Sequence, residues 1–213
     1  MKIKKLFATT AILLVLCTAC LDTKSGGHKK KAVDCSQFNI DVSASTALVA
    51  QAMHPSFCQV KFSNNYQLPD SHCTPGAINP SVTLDVLKNP AFRTACLRNN
   101  VTNEKQKAAT YNTYAITHPQ HNQGDSQTCE LDHLVPLELG GADTLDNIWP
   151  QCGPDGVDLN GRFFKHKDLV ENYLTHQVKA GAMPLYDAQL GIAKDWTQYL
   201  QAAKAFCKNP FCD

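Results

Sequence analysis

An aspartate directly followed by a histidine, Asp132 and His133, with Asn147 fourteen residues further on, is the part of this chain best suited to chemistry. A carboxylate is a hard oxygen donor of the kind Mg²⁺ prefers, and Mg²⁺ keeps several waters in its shell. Histidine titrates near neutral pH, so its neutral ring can take a proton from water. A divalent ion beside it would stabilise the charge that builds on a phosphate and its leaving oxygen. The side-chain carbonyl of Asn147 is expected to fix the tautomer and orientation of the imidazole. Together the three residue types point to metal-assisted hydrolysis.

The surrounding elements must bring these groups together. They lie in CELDHLVPLELGGADTLDNIWPQ, Cys129 to Gln151. Leu131 to Leu139 is apolar enough for a first strand and its continuation. Gly140 and Gly141 permit a tight turn through positive φ, and Asn147 to Pro150 reads as extended again. From Leu159 to Lys179 the apolar residues Phe163, Phe164, Leu169, Val170, Tyr173 and Leu174 recur at helical steps, and Gly181 ends the pattern. That helix is expected to pack across the strand pair. Neighbouring strand residues face opposite ways, so Asp132 and His133 can share a site only near a strand end or a bulge. Glu130 and Glu138 read either as groups that support the site or, by default, as strand-surface carboxylates.

The run DHLVPLELGG, followed by NIWPQ and then by a helix containing KDLVE (Lys167, Asp168, Glu171), resembles the HNH endonuclease superfamily, the ββα-metal nucleases. More narrowly it is similar to a group of exported bacterial HNH-type proteins with a CTPGAxNPxV segment upstream and an AQxxIAxDW helix downstream. Here those are Cys73 to Val82 and Ala188 to Trp196. The resemblance implies an α+β, mainly helical single domain built around a ββα-metal motif. It implies His133 as general base, Asp132 as ligand of a single Mg²⁺ or Mn²⁺ ion, and Asn147 as the residue that orients the base. A further ligand near the helix start is implied, with Asn160 the first candidate and His166 its rival. DNA is the implied substrate, RNA less often, cleaved to a 5′-phosphate and a 3′-hydroxyl. Arg162, Lys165 and Lys167 at the start of the same helix are candidate phosphate contacts; the alternative is an ordinary solvated helix face. The competing reading is an exported binding protein that keeps the scaffold without turnover.

The rest of the chain bears on location and stability. Its 213 residues are 43% apolar, enough for a core, and include ten cysteines, a pattern of oxidising compartments. Lys2, Lys4 and Lys5 precede an apolar stretch from Leu6 to Leu16, which reads as a signal peptide over residues 1–19. Small residues before Cys20 also resemble a bacterial lipobox, so Cys20 is either a lipidated first residue, the one expected route to a membrane, or part of an ordinary leader. The expected destination is the periplasm, the outer membrane or the medium. Residues 20–33 read as a tether, 34–72 as an N-terminal extension, 73–206 as the nuclease-like domain and 207–213 as a tail.

The formal net charge is +1, and without the three leader lysines the remainder is slightly acidic. A nucleic-acid binder of this charge needs a local basic patch. Eight cysteines remain beyond Cys17 and Cys20, enough for four bridges, and none forms a CxxC pair. Cys129 and Cys152 bracket the central segment and are expected to staple its ends; Cys207 and Cys212 are further candidates. Elsewhere, helices are expected over Ser43 to Met53, Leu84 to Lys88, Ala91 to Leu97, Asn103 to Ala115 (with Asn103 as N-cap) and Leu185 to Phe206. A strand is expected over Phe57 to Phe62. His118 and His121 read as residues of a polar loop. No P-loop, dinucleotide fingerprint, G-x-S-x-G elbow or HExxH is present.

Overall fold

Polar side chains that bond their own backbone set the first turns of the structure, a computed structural model that describes residues 33–50, 53, 56–100, 102, 104–208 and 212. Asp41 accepts both the N–H (3.0 Å) and the hydroxyl (2.7 Å) of Ser43. Such local bonds compete with a helix. The helix expected from Ser43 does not form; Thr46–Ala47 is instead a short strand, β1, followed by bends. Next come β2 (Lys61–Ser63) and β3 (Tyr66–Leu68), an antiparallel hairpin that replaces the strand expected over Phe57 to Phe62. Its turn is Asn64-Asn65, with φ of 49° and 66°. Asparagine tolerates that left-handed conformation, and two such residues make the turn whose twist suits a hairpin.

β4 (Ala77–Ile78) pairs with β1. It lies in the turn-rich CTPGAINPSV segment, and Ile78 also bridges to Gly141 of the central loop. Helix α1 is Leu84–Lys88, capped by the Thr83 hydroxyl, as expected from the sequence. The helix expected over Ala91 to Leu97 is reduced to a 3₁₀ turn, Thr94–Leu97. Helix α2 is Glu104–Thr113; its expected cap, Asn103, lies outside the described residues, as do the leader and Cys20.

The strands β5 (Cys129–His133) and β6 (Ile148–Cys152) form an antiparallel pair in the register Cys129↔Cys152 to His133↔Ile148. The first strand is shorter than expected. It stops at His133, and Leu137–Leu139 is a 3₁₀ turn closed by Gly140 at φ 77°. Gly141 is needed for a different reason than the expected positive φ: a Cβ there would lie 1.9 Å from the Val135 carbonyl oxygen.

A 3₁₀ turn, Leu159–Gly161, leads into α3 (Phe163–Lys179), which buries Phe163, Phe164, Lys167, Val170, Leu174 and Val178 along one side. Gly181 follows with φ 76°. The single last helix expected from Leu185 to Phe206 is two, α4 (Leu185–Asp195) and α5 (Leu200–Phe206), joined by a 3₁₀ turn. The Asp195 carboxylate accepts the Thr197 N–H at 2.9 Å, capping the new turn and breaking the old helix. The break seats Trp196 in the core, its Nε1–H on the Gln67 carbonyl at 2.9 Å.

The fold is mixed helix and sheet, with small antiparallel sheets and four disulfides. Trp149, Val170, Leu174, Ile192 and Trp196 are at the centre of the core, each essentially without solvent contact. Cys129–Cys152 closes the open end of the β5–β6 pair as expected, and Cys207–Cys212 closes the C-terminal end. Cys35–Cys96 and Cys58–Cys73 tie the N-terminal part of the described chain to the segments around α1 and β4. Val33–Asp213 is one compact unit. Among the described residues, no helix is long and apolar enough to cross a membrane.

Candidate active site at the end of β5

Asp132 and His133 are adjacent on a strand, yet both line one cleft of about 160 Å³. The geometry allows this because β5 ends at His133; beyond it the chain turns, and the Leu134 N–H donates to the Asn147 carbonyl at 2.8 Å. Five carboxylates line the same cleft: Glu130, Asp132 and Glu138 from the strand and its loop, Asp168 and Glu171 from α3. Glu130 and Glu138 thus face the site, the less favoured of their two sequence readings.

The imidazole is held by Asp143, whose Oδ1 lies 2.8 Å from His133 Nε2. Asp143 is 1% exposed and is also bonded by Lys107 Nζ (2.9 Å to Oδ1) and the Asn99 N–H (2.8 Å to Oδ2). Burial alone would raise its pKa, but the hydrogen bonds from His133, Asn99 and Lys107 hold the carboxyl well below the usual carboxylate range. An ionised carboxylate can only accept, so Nε2 must carry the proton. The lone pair of the neutral ring is then on Nδ1.

Asn147 does something other than expected. Its Oδ1 accepts the N–H groups of Ala77 (3.2 Å) and Val135 (2.9 Å), and its Nδ2 donates to the carbonyls of Val135 and Ala142, both at 2.9 Å. All four bonds go to backbone, and the residue is wholly buried. It clasps β4 and the two halves of the central loop, so it positions the end of β5 without touching the imidazole. The contact assigned to it from the sequence belongs to Asp143.

Lys167 is 1% exposed, in the first half of α3. Its ammonium donates to the His133 carbonyl at 2.7 Å and to Glu171, and lies 2.9 Å from Asp132 Oδ2 in an ion contact that is off the hydrogen-bonding direction. Burial raises the Asp132 and Glu171 carboxyls despite that ammonium. Burial would lower the lysine, but Asp132 and Glu171 outweigh it and hold the ammonium charged. Burial and the charges of Asp132 and Asp168 push Glu130 up to about 7.

The expected phosphate contacts are used elsewhere. Arg162 is buried and donates to the Pro154 carbonyl, Lys165 pairs with Asp168 at 2.8 Å, and Lys167 is the buried cation beside Asp132. The expected further metal ligands are also elsewhere. Asn160 is exposed in the 3₁₀ turn before α3, and His166 packs edge-on against Tyr66 with ring centroids 5.3 Å apart; neither lines the cleft. Burial and the nearby Lys204 lower the His166 pKa. Among the described residues, no group of three His, Cys, Asp or Glu side chains is placed to hold a metal ion. The three expected ligands are not brought together in the cleft: Asp132 lines it with the Lys167 ammonium at 2.9 Å, while Asn160 and His166 lie outside it.

Asp168, Glu171 and Arg98, which line the cleft, and Asp143, which lies behind His133, are charged residues to which the sequence alone assigns no role. Asp143 had a signal, a carboxylate just after the Gly-Gly turn. Arg98 had none, because only the fold brings residue 98 to the end of β5. Comparison with known proteins does not add to this set: no protein family, curated protein or solved structure matches the chain.

Proposed function

We propose that this chain is an HNH-type endonuclease, a phosphodiester hydrolase acting on DNA or RNA, with His133 as its general base. The reading is carried by one observation, the His133–Asp143 pair at 2.8 Å opening on a cleft that also holds Asp132. The Asp143 carboxylate accepts the hydrogen bond from Nε2–H and leaves Nδ1 as the free acceptor. Nδ1 removes a proton from water as the oxygen attacks phosphorus, the P–O3′ bond breaks, and the leaving O3′ takes a proton from solvent to become the 3′-hydroxyl. Asp143 stabilises the imidazolium until it returns its proton to solvent. A positioned base of this kind contributes about 10²–10⁴-fold to rate. Lys167 fixes the backbone carbonyl of His133, and Asn147 fixes the loop behind it, so both act through the base. The order β5, loop, β6, α3 and the DHLVPLELGG resemblance support the family reading. Since the expected metal ligands do not converge, no step is assigned to a metal. Export to an oxidising compartment belongs to the same proposal, supported by the four disulfides and the apolar leader sequence.

One observation favours a second reading, a binding protein without turnover: the ammonium of Lys167 takes up Asp132, the carboxylate on which a catalytic cation would depend. Cleavage of supercoiled plasmid and of RNA by the oxidised protein, in Mg²⁺, Mn²⁺ and EDTA, separates the two. The nuclease reading expects nicking by the parent that is lost in His133→Ala. A folded parent that cuts neither polymer in any of the three conditions makes it a binding protein.

A further inference from the structure

A nucleic-acid strand brings negative charge to a cleft already lined by five carboxylates. Something in the wall has to meet it, and Arg162, Lys165 and Lys167 are already engaged with Pro154, Asp168 and Asp132. Arg98 differs from them. Its side chain is 55% exposed, and it lines the cleft beside Thr94 and His133. Among the described residues its guanidinium makes no hydrogen bond; Asp143 Oδ1 lies 3.8 Å from Nη1, an ion contact beyond hydrogen-bond length. Asp143 is already satisfied by His133, Lys107 and the Asn99 N–H, so it does not need Arg98.

The backbone on either side of Arg98 is held while its side chain is open to solvent. The 3₁₀ turn before it is anchored by the Cys35–Cys96 bridge and by Leu97, 1% exposed. The Asn99 N–H after it is bonded to Asp143 at 2.8 Å. A guanidinium has a planar fork of donors that matches a phosphate, and a held backbone reduces what binding must fix.

We propose that Arg98 is the substrate-phosphate anchor of this cleft, holding a phosphate oxygen of a nucleic-acid strand beside His133. The proposal rests on the nuclease reading and specifies how that site meets its substrate. Binding of a labelled single-stranded oligonucleotide is to be measured across salt concentrations with His133→Ala, which leaves the strand uncut, and with His133→Ala/Arg98→Ala. His133→Gln serves as background if the alanine variant does not fold, with melting temperature as the check. Loss of Arg98 is expected to weaken binding about tenfold and to reduce the salt slope by about one. Arg98→Lys should recover part of the affinity. Equal affinity and slope with and without Arg98, or no binding at all, overturns the proposal. A parent that binds through Arg98 yet never cleaves retains the anchor and removes the hydrolytic reading. A parent that cleaves equally well after Arg98→Ala does the reverse.

Discussion

His133 Nε2 and Asp143 Oδ1 lie 2.8 Å apart, joined across the loop that separates β5 from β6. The pair settles which ring nitrogen can act. Asp143→Asn would offer an amide in place of an ionised acceptor, so the imidazole loses both its fixed tautomer and the counter-charge for its protonated form. Turnover is expected to fall by about 10²–10⁴-fold, the range of a positioned base. Single-turnover cleavage of plasmid by the two proteins measures this. A variant within twofold of the parent would remove Asp143 from the mechanism.

The same carboxylate leaves a signature in stability against pH. Its folded-state pKa is held below the ordinary value, so the stabilisation it provides is complete above that ordinary value, near 3.9, and is lost as pH falls through the folded pKa. Urea unfolding of the parent and of Asp143→Asn should therefore show a stability gap that narrows as the pH falls below 4. A gap that stays constant down to pH 2 would contradict the ionised assignment.

Glu130 gives the opposite sign. Its pKa is raised from 4.5 to about 7, so the folded protein holds a proton that the unfolded chain releases first. Stability contributed by Glu130 is present below 4.5 and is lost as pH rises towards 7. Glu130→Gln should gain stability relative to the parent across that interval and keep the gain above it. Parallel stability curves for the two proteins would show that Glu130 titrates normally.

Much of the frame around these groups was legible in the sequence. Helical spacing located α3, the cysteines flanking the central segment identified their own bridge, and the Asp-His pair fell at a strand end as its shared site demanded. The partners of those residues were not legible. Asn147 and Asp143 are both polar residues of one loop, and sequence alone gives no reason why one should clasp backbone and the other the imidazole. Lys167 read as an exposed helix-start cation because a lysine is seldom buried. Only the packing of α3 on β5, which turns residue 167 inward beneath the His133 carbonyl, reverses that expectation. Arg98 depended on a long-range disulfide whose pairing no local pattern encodes.

Lys167 is the cation on which the buried acids depend. Replacing it by methionine keeps its length and leaves the buried Asp132 and the half-buried Glu171 without their counter-charge. Removing one partner of a buried ion pair costs about 3–5 kcal/mol. A second change, Glu171→Gln, should restore part of that loss by removing one of the stranded charges. Urea midpoints of the parent, the single variant and the double variant test the pairing. A double variant no more stable than the single one would mean that the cost of Lys167→Met comes from lost packing.

The central loop depends on Gly141 for space. A Cβ there would meet the Val135 carbonyl oxygen at 1.9 Å, and the Asn147 amide that braces the loop lies 3.0 Å away. Neither neighbour is the free end of a flexible side chain, so Gly141→Ala must displace backbone. Crowding of this kind costs about 1–3 kcal/mol, and the shift falls on the segment that carries both His133 and Asp143. Stability and turnover should therefore fall together. Gly156→Ala is the control: its φ of 75° strains a side chain, but nothing lies within 4 Å of the added carbon. That variant should lose about 1 kcal/mol of stability from the left-handed backbone alone and keep its turnover. Melting temperature and plasmid cleavage, measured on both variants, distinguish steric displacement of the site from a general cost of adding a methyl group. Full turnover in a destabilised Gly141→Ala protein would mean that the loop can move without disturbing the His133–Asp143 pair.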